Sequence, residues 1–372
     1  MSKVKVLIAT PMYPPSIGGP ATYSKLLFQG LTKREIGADV VSFDDLLRYP
    51  KGIRHLVYLF RLITKSRGFS HIYAQDPVSV GLPAYVASFL TKKKFFVRVA
   101  GDYAWEQSVQ RFGVKDDIDS FQGKKYNLRT NFLKKIQAFV CSRADKVITP
   151  SKYFQKLVGS WSKNIKEVVF IHNGIELPEI SYDKVGLRKK LGFSEDQKII
   201  ISAGRLVPWK GFSELLKVGS HLKEKYSNIK IVILGDGPLM KSLSGEIDGL
   251  DLQENAVLVG RVGRDKMFKY LAAADVFVLN TTFESFSFQV VEAMHAGLPV
   301  ITRNVGSLPE LVEDGSEGYL ISGIEDLEDK IVEIFSSDTS ISEMSKNAKI
   351  KAQKFSVENT IDNFLAELRS QI

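Results

Sequence analysis

The chain places two acids and two bases where they can grip a polar ligand. Glu284 and Glu292 bracket a segment, residues 282–300, that reads T-F-E-S-F-S-F-Q-V-V-E-A-M-H-A-G-L-P-V. Glu284 falls in a strand-to-helix loop. Glu292 falls inside the helix, roughly two turns from its start at about 1.5 Å per residue. Carboxylates so spaced suit the two ends of one elongated polar ligand. The helix N-terminus between them, near Ser285-Phe286, offers backbone N–H groups and a partial positive charge, which suits a diphosphate. Arg205 and Lys210, in Gly204-Arg205-Leu206 and Lys210-Gly211, follow an apolar strand and so leave its carboxyl end, where open α/β sheets bind ligands. Arginine brings a planar fork to phosphate oxygens and lysine a mobile point charge. Gly235, in Ile233-Leu234-Gly235-Asp236-Gly237-Pro238, ends another strand. Gly18-Gly19-Pro20 sits just before a helix, with proline suited to the first turn. Taken singly, each of these reads equally as a solvated loop or a turn.

The elements that must hold these residues alternate in the manner of βαβ units. In the first half, Val4–Ala9, Val40–Phe43, His71–Ala74, Phe95–Val99, Lys146–Thr149 and Val168–Ile171 read as strands. In the second half the strands are Lys198–Ser202, Lys230–Leu234, Ala256–Val259, Val276–Leu279, Val300–Thr302 and Gly318–Ile321. The stretch from Ser181 to Gln197 is polar, and the connection between two domains is placed there or just before. The expected division is 1–176 and 177–355, with 356–372 a capped amphipathic helix. The fold class is α/β. At 372 residues the chain is long enough for two domains, each with its own core.

Charge is unevenly divided. Residues 1–176 hold 28 Lys/Arg against 13 Asp/Glu, a balance of +15; residues 177–372 hold 23 against 29, a balance of −6. A basic half points to an acidic partner: an anionic membrane surface, a lipid-linked phosphate or nucleic acid. No zinc-finger spacing, RRM signature or long basic arm is present, so nucleic acid is not expected. Ile53–Arg67, I-R-H-L-V-Y-L-F-R-L-I-T-K-S-R, is apolar, aromatic and basic without one acid. It reads either as an interfacial helix or as a core helix with basic ends. The single Cys141 excludes an internal disulfide framework and fits a reducing compartment. With no signal-peptide core and no run of about 20 apolar residues, the expected location is cytoplasmic, peripheral on the inner face of the membrane.

In order and spacing these motifs resemble the family 4 glycosyltransferases, the glycosyl transferases group 1. The resemblance covers nearly the whole chain. It adds Val147-Ile148-Thr149-Pro150-Ser151, His172-Asn173-Gly174-Ile175 and Ala296-Gly297-Leu298-Pro299-Val300 to the segments above. It implies the GT-B architecture, two Rossmann-like domains facing each other across a cleft, with the last helix packing back on the N-terminal, acceptor-side domain. The implied activity is retaining transfer of a hexosyl group from a UDP- or GDP-linked donor to a glycan, lipid-linked or membrane-proximal. Arg205, Lys210 and the Gly18-Gly19 amides would then meet the leaving diphosphate, Glu284 the sugar hydroxyls and Glu292 the ribose hydroxyls. Arg261 and Val262 would flank the base. Many members carry histidine after the strand Phe95–Val99; here Asp102 stands in that region, either facing the donor sugar or forming a structural turn. His172 is expected to be structural. No Asp-x-Asp motif precedes the donor site, so no cofactor and no metal requirement is expected.

Two rival readings remain: a sugar-nucleotide 2-epimerase of the same fold, and a non-catalytic sugar-nucleotide-binding module. No acid–base constellation for the first is evident, and the intact Arg205, Lys210, Glu284 and Glu292 argue against the second. The sequence is silent on oligomeric state.

Overall fold

The protein's structure, a computed structural model, describes residues 4–16, 18–50, 52–179 and 183–370. Residues 181–182, at the head of the polar connection, and 371–372, at the tail of the last helix, lie outside the described residues. The chain divides into two compact units, Met1–Gly174 with Val357–Ile372, and Ile175–Ser356.

All twelve expected strands form, within a few residues of their expected bounds. The first unit holds β1 (Lys5–Thr10), β2 (Gly37–Ser42), β3 (His71–Ala74), β4 (Lys94–Arg98), β5 (Lys146–Thr149) and β6 (Val168–Phe170). They pair in parallel in the order β2-β1-β3-β4-β5-β6. The second holds β7 (Lys198–Ala203), β8 (Ile229–Leu234), β9 (Ala256–Gly260), β10 (Val276–Leu279), β11 (Val300–Arg303) and β12 (Gly318–Ile321). Their order is β12-β11-β10-β7-β8-β9, again parallel. The largest departure is β2, which starts three residues before the apolar run because Gly37 to Val40 pair with Lys5 to Ile8 of β1.

Parallel sheets are covered on both faces, so their strands are apolar throughout and alternate residues serve different cores. Ile199, Ile201, Phe277 and Leu279 enter one core of the second unit. Ile200, Ile231, Val276 and Val278 enter the other. In the first unit the helix Val357–Arg369 completes the core, burying Ile361, Phe364 and Leu368 among Val6, Tyr23, Leu27 and Tyr73. Gly30 leaves the space that Ile361 fills. Arg34 pairs with Asp362 at 2.8 Å, and the buried Lys146 donates to Ser370 Oγ at 2.8 Å and pairs with Glu367.

In each unit the first strand lies between two later strands: β1 between β2 and β3, β7 between β10 and β8. The chain therefore leaves in opposite directions from neighbouring strands, which opens a crevice at their carboxyl ends. Gly18-Gly19 follow β1 at the first of these points, and Arg205, Lys210 and Glu284 follow β7 and β10 at the second, while Gly235 and Arg261 follow the adjoining β8 and β9.

Candidate functional site

In the second unit the loops after β7 and β10 are stitched together. Thr282 N–H donates to the Trp209 carbonyl at 2.8 Å, and the Thr281 hydroxyl donates to the same oxygen at 2.9 Å. Gly211 has φ +68°, and a Cβ there would overlap the Asn280 carbonyl. This closeness brings Lys210 Nζ onto Glu284 Oε1 in an ion pair, both side chains 11% exposed. Burial raises the Glu284 pKa, and the Lys210 charge opposes that rise. The loop after β11 clamps the same residue, since Ser307 N–H donates to the Glu284 carbonyl at 3.0 Å. Arg205 is exposed on the loop after β7.

Glu292 lies on the helix Phe288–His295, whose first turn is capped by Ser287 accepting from Val290 N–H at 3.4 Å. The helix begins after Ser285-Phe286, so Glu292 stands about 6 Å along it, little more than one turn rather than two. The Phe286 ring packs in the core against Phe288 and Phe355, which leaves only its main chain for a ligand. Ser285 is half-buried. Burial pushes the Glu292 carboxyl up to about 7, opposed by Arg264, whose Nε lies 3.6 Å from Glu292 Oε1. Arg264 also reaches Glu176 Oε2 at 3.2 Å. It opens the helix Arg264–Ala273, which follows the loop holding the exposed Arg261 and the half-buried Val262.

Gly235 makes room for a neighbouring loop. Its φ is +139°, and a Cβ would overlap the Gly204 carbonyl; one at Gly237 would crowd Leu206. Main-chain bonds zip the two loops, Gly204 N–H to the Leu234 carbonyl at 2.9 Å and Leu206 N–H to Asp236 at 3.0 Å. These glycines let the loop carrying Arg205 lie flat on its neighbour.

The first unit has its own cavity, of about 440 Å³, at the ends of β1, β3 and β4. Gln75 and Asp76 line it. Gln75 is 3% exposed with neither terminal atom hydrogen-bonded, and Asp76 Oδ2 is likewise buried without a bond. Both were missed in the sequence. Gly18 caps the helix Gly19–Lys33, and a Cβ at Gly19 would meet nothing within 4 Å.

Asp102 is fully buried and caps the helix Tyr103–Arg111, accepting from Trp105 N–H at 3.1 Å. Gln122 and Gln137 each donate to it at 2.9 Å. Burial raises its pKa against these bonds. Of the two readings of this residue, the geometry matches the structural turn, because both oxygens are engaged within the fold. Asn173 accepts from the buried Arg98 at 2.7 Å, and the His172 carbonyl accepts from Thr360 at 2.8 Å, which tie the His-Asn-Gly loop into the first unit. Ser151 caps the helix Lys152–Gly159.

Known proteins resemble this chain in sequence and fold. The family model of the glycosyl transferases group 1 matches residues 183–353. The alpha-monoglucosyldiacylglycerol synthase of Streptococcus pneumoniae is 26% identical over 63% of this chain, which spans 54% of that protein, about half its length. An uncharacterized glycosyltransferase of Methanocaldococcus jannaschii is 27% identical over 86% of this chain and 85% of its own. The structure of Anabaena HepE in complex with UDP superposes with a TM-score of 0.78, at 20% identity, over 99% of this chain and 100% of its own. Over residues 183–353 this chain is similar to the glycosyl transferases group 1, and its two parallel six-stranded sheets have the GT-B fold of the HepE structure.

Proposed function

We propose that the chain is a retaining glycosyltransferase. It moves a hexosyl group from a nucleoside diphosphate sugar to a glycan, lipid-linked or membrane-proximal. The observation that carries this is the buried Lys210–Glu284 pair at the point where the strand order reverses. Donor binding exchanges partners: Lys210 turns to the diphosphate, and the freed Glu284 carboxylate accepts a sugar hydroxyl. The bond between the anomeric carbon and the phosphate oxygen breaks, with negative charge gathering on the diphosphate. Arg205 and Lys210 stabilise that charge in place. The acceptor oxygen bonds to the anomeric carbon on the face the diphosphate leaves, and its proton passes to the departing diphosphate oxygen. Glu292 in its ionised form accepts the ribose hydroxyls, held by Arg264. The UDP held by the Anabaena neighbour supports a uridine donor, with GDP the alternative. The monoglucosyldiacylglycerol in the name of the pneumococcal relative supports a lipid-linked acceptor.

The test is a thermal-shift series with UDP, GDP and their sugars, then turnover with and without acceptor. A bound nucleotide raises the melting temperature by mass action. Arg205→Ala should cost about 2–4 kcal/mol of transition-state stabilisation. A donor isomerised without acceptor would mean an epimerase. Binding without turnover on any glycan would mean a binding module, and either result would replace this reading.

A further inference from the structure

Apolar side chains left in water are distributed very unevenly. Among the described residues, ten large ones lie in the first unit and two, Val185 and Ile350, in the second. Nine of the ten stand on three helices. Ile53, Leu56 and Phe60 project from Ile53–Lys65, which buries Tyr58 and Leu62 on its other side. Leu82, Phe89 and Leu90 are exposed on Gly81–Thr91, and Leu128, Phe132 and Phe139 on Leu128–Arg143. These helices follow β2, β3 and β4 in turn. Each connection steps the same way across the sheet, so right-handed crossovers lay all three on one face. The first packs on the second and the second on the third. Tyr85 bridges the latter two, its ring 6.4 Å from Phe89 and 5.7 Å from Phe139.

The third helix shows the pattern most clearly. Its exposed positions include Leu128, Phe132, Lys135, Phe139 and Arg143. Steps of four, three, four and four residues keep them on one stripe, about 22 Å long. The opposite side buries Thr130, Gln137, Val140 and Cys141. None of the three helices carries a single Asp or Glu. Their cations include Arg54, Arg61, Lys65, Arg129, Lys135 and Arg143. Lys92-Lys93 and Lys124-Lys125 add charge from adjoining loops. The acids that reach these cations, Asp39 to Lys65 at 2.8 Å, Asp45 to Arg61 at 3.9 Å and Asp116 to Lys124 at 2.6 Å, come from outside the three helices.

We infer that this three-helix face is a docking surface for an anionic lipid bilayer. Phenylalanine and leucine enter at headgroup depth, while the lysines and arginines among them extend to lipid phosphates. A protein partner is the poorer fit, because interface cores are depleted in lysine, and here Lys135 stands within the apolar stripe itself. The inference extends the membrane-proximal reading of the acceptor and widens the contact from one segment, Ile53–Arg67, to three helices.

The test is flotation of the full chain with mixed phosphatidylcholine–phosphatidylglycerol vesicles and with pure phosphatidylcholine vesicles. Wild type should float with the mixed vesicles at low salt and stay behind with the pure ones. K135Q/R143Q should weaken the binding about thirtyfold, at about 1 kcal/mol for each cation near the surface. F132S/F139S should weaken it as well, and the loss should persist at high salt. All four side chains are exposed, so the melting temperature should hold; if one pair melts early, the other pair decides. Wild type that stays with neither vesicle overturns the inference, as does undiminished flotation of both variants. A dimer in light scattering that F132S/F139S splits, without vesicle binding, would assign the face to a second copy of the chain. Calorimetry with UDP reads the second unit separately. UDP binding without flotation would sink the docking surface alone, and flotation without nucleotide binding or transfer would sink the proposed function alone.

Discussion

Removing Lys210 separates its two roles. Lys210→Met keeps the side chain's length and deletes its charge, so Glu284 is left buried without its cation. Both side chains are 11% exposed, so solvent screens the pair little. Breaking a buried pair from one side costs about 3–5 kcal/mol. The orphaned carboxyl can avoid part of that by taking a proton. Its pKa, already raised by burial, then rises further. The folded state holds a proton that the unfolded chain releases near its ordinary value, so stability falls as pH rises through this window and levels off above the folded value. Urea unfolding of Lys210→Met should thus show a large loss at pH 8 and a smaller one at pH 5. Adding Glu284→Gln should restore most of the stability, for a coupling energy of about 2–4 kcal/mol in the double-mutant cycle. It should restore no transfer activity, since losing one charge stabiliser costs about 3–4 kcal/mol in the transition state. A single variant that loses under about 1 kcal/mol, with a coupling near zero, would refute the buried pair.

Glu292, at about 7 folded against 4.5 ordinarily, makes the folded state hold more protons between those values. Stability should fall by about 3 kcal/mol as pH rises from 4.5 to 7, and Glu292→Gln should flatten that slope in thermal melts. Nucleotide affinity by calorimetry should rise through the same window, because only the carboxylate accepts both ribose hydroxyls; a flat affinity profile would count against the ribose role. Gly235→Ala places a methyl against the Gly204 carbonyl at a φ that favours glycine, and should destabilise by about 1–3 kcal/mol in urea. Transfer should survive EDTA, since Arg205 and Lys210 supply the positive charge at the diphosphate; a loss in EDTA restored by Mg²⁺ or Mn²⁺ would overturn that expectation.

The strands were legible because parallel sheets demand unbroken apolar runs, and Lys146–Thr149, Val276–Leu279 and Gly318–Ile321 match residue for residue. Loop motifs were legible as positions but not as functions. Gly235 reads the same whether glycine makes room for a phosphate or for the neighbouring loop. Asp102 looked chemical because it stands in the region where many members of the resembled family carry histidine. The glutamines that satisfy it, Gln122 and Gln137, lie 20 and 35 residues away, beyond any local pattern. Arg264 escaped notice for the same reason, since its partner Glu292 is far off in sequence. Gln75 and Asp76 did carry a signal, two polar residues directly after the apolar β3. The exposed stripe on Leu128–Arg143 was hidden because its phenylalanines read as core until the helix is turned to show which side is wet.

The first unit is discontinuous in the chain and the second is not. A ribosome makes residues 1–174 before the second unit, yet it makes the helix that seals their core after that unit. Through most of synthesis Val6, Tyr23, Leu27 and Tyr73 wait without Ile361 and Phe364, while residues 175–356 emerge as one uninterrupted piece with everything their own cores need. Of the two units, the one whose synthesis starts earlier is therefore the one that finishes folding later. Stalled chains ending before Val357 should show a protease-resistant second unit and a cleavable first, the reverse of the order in which they are made.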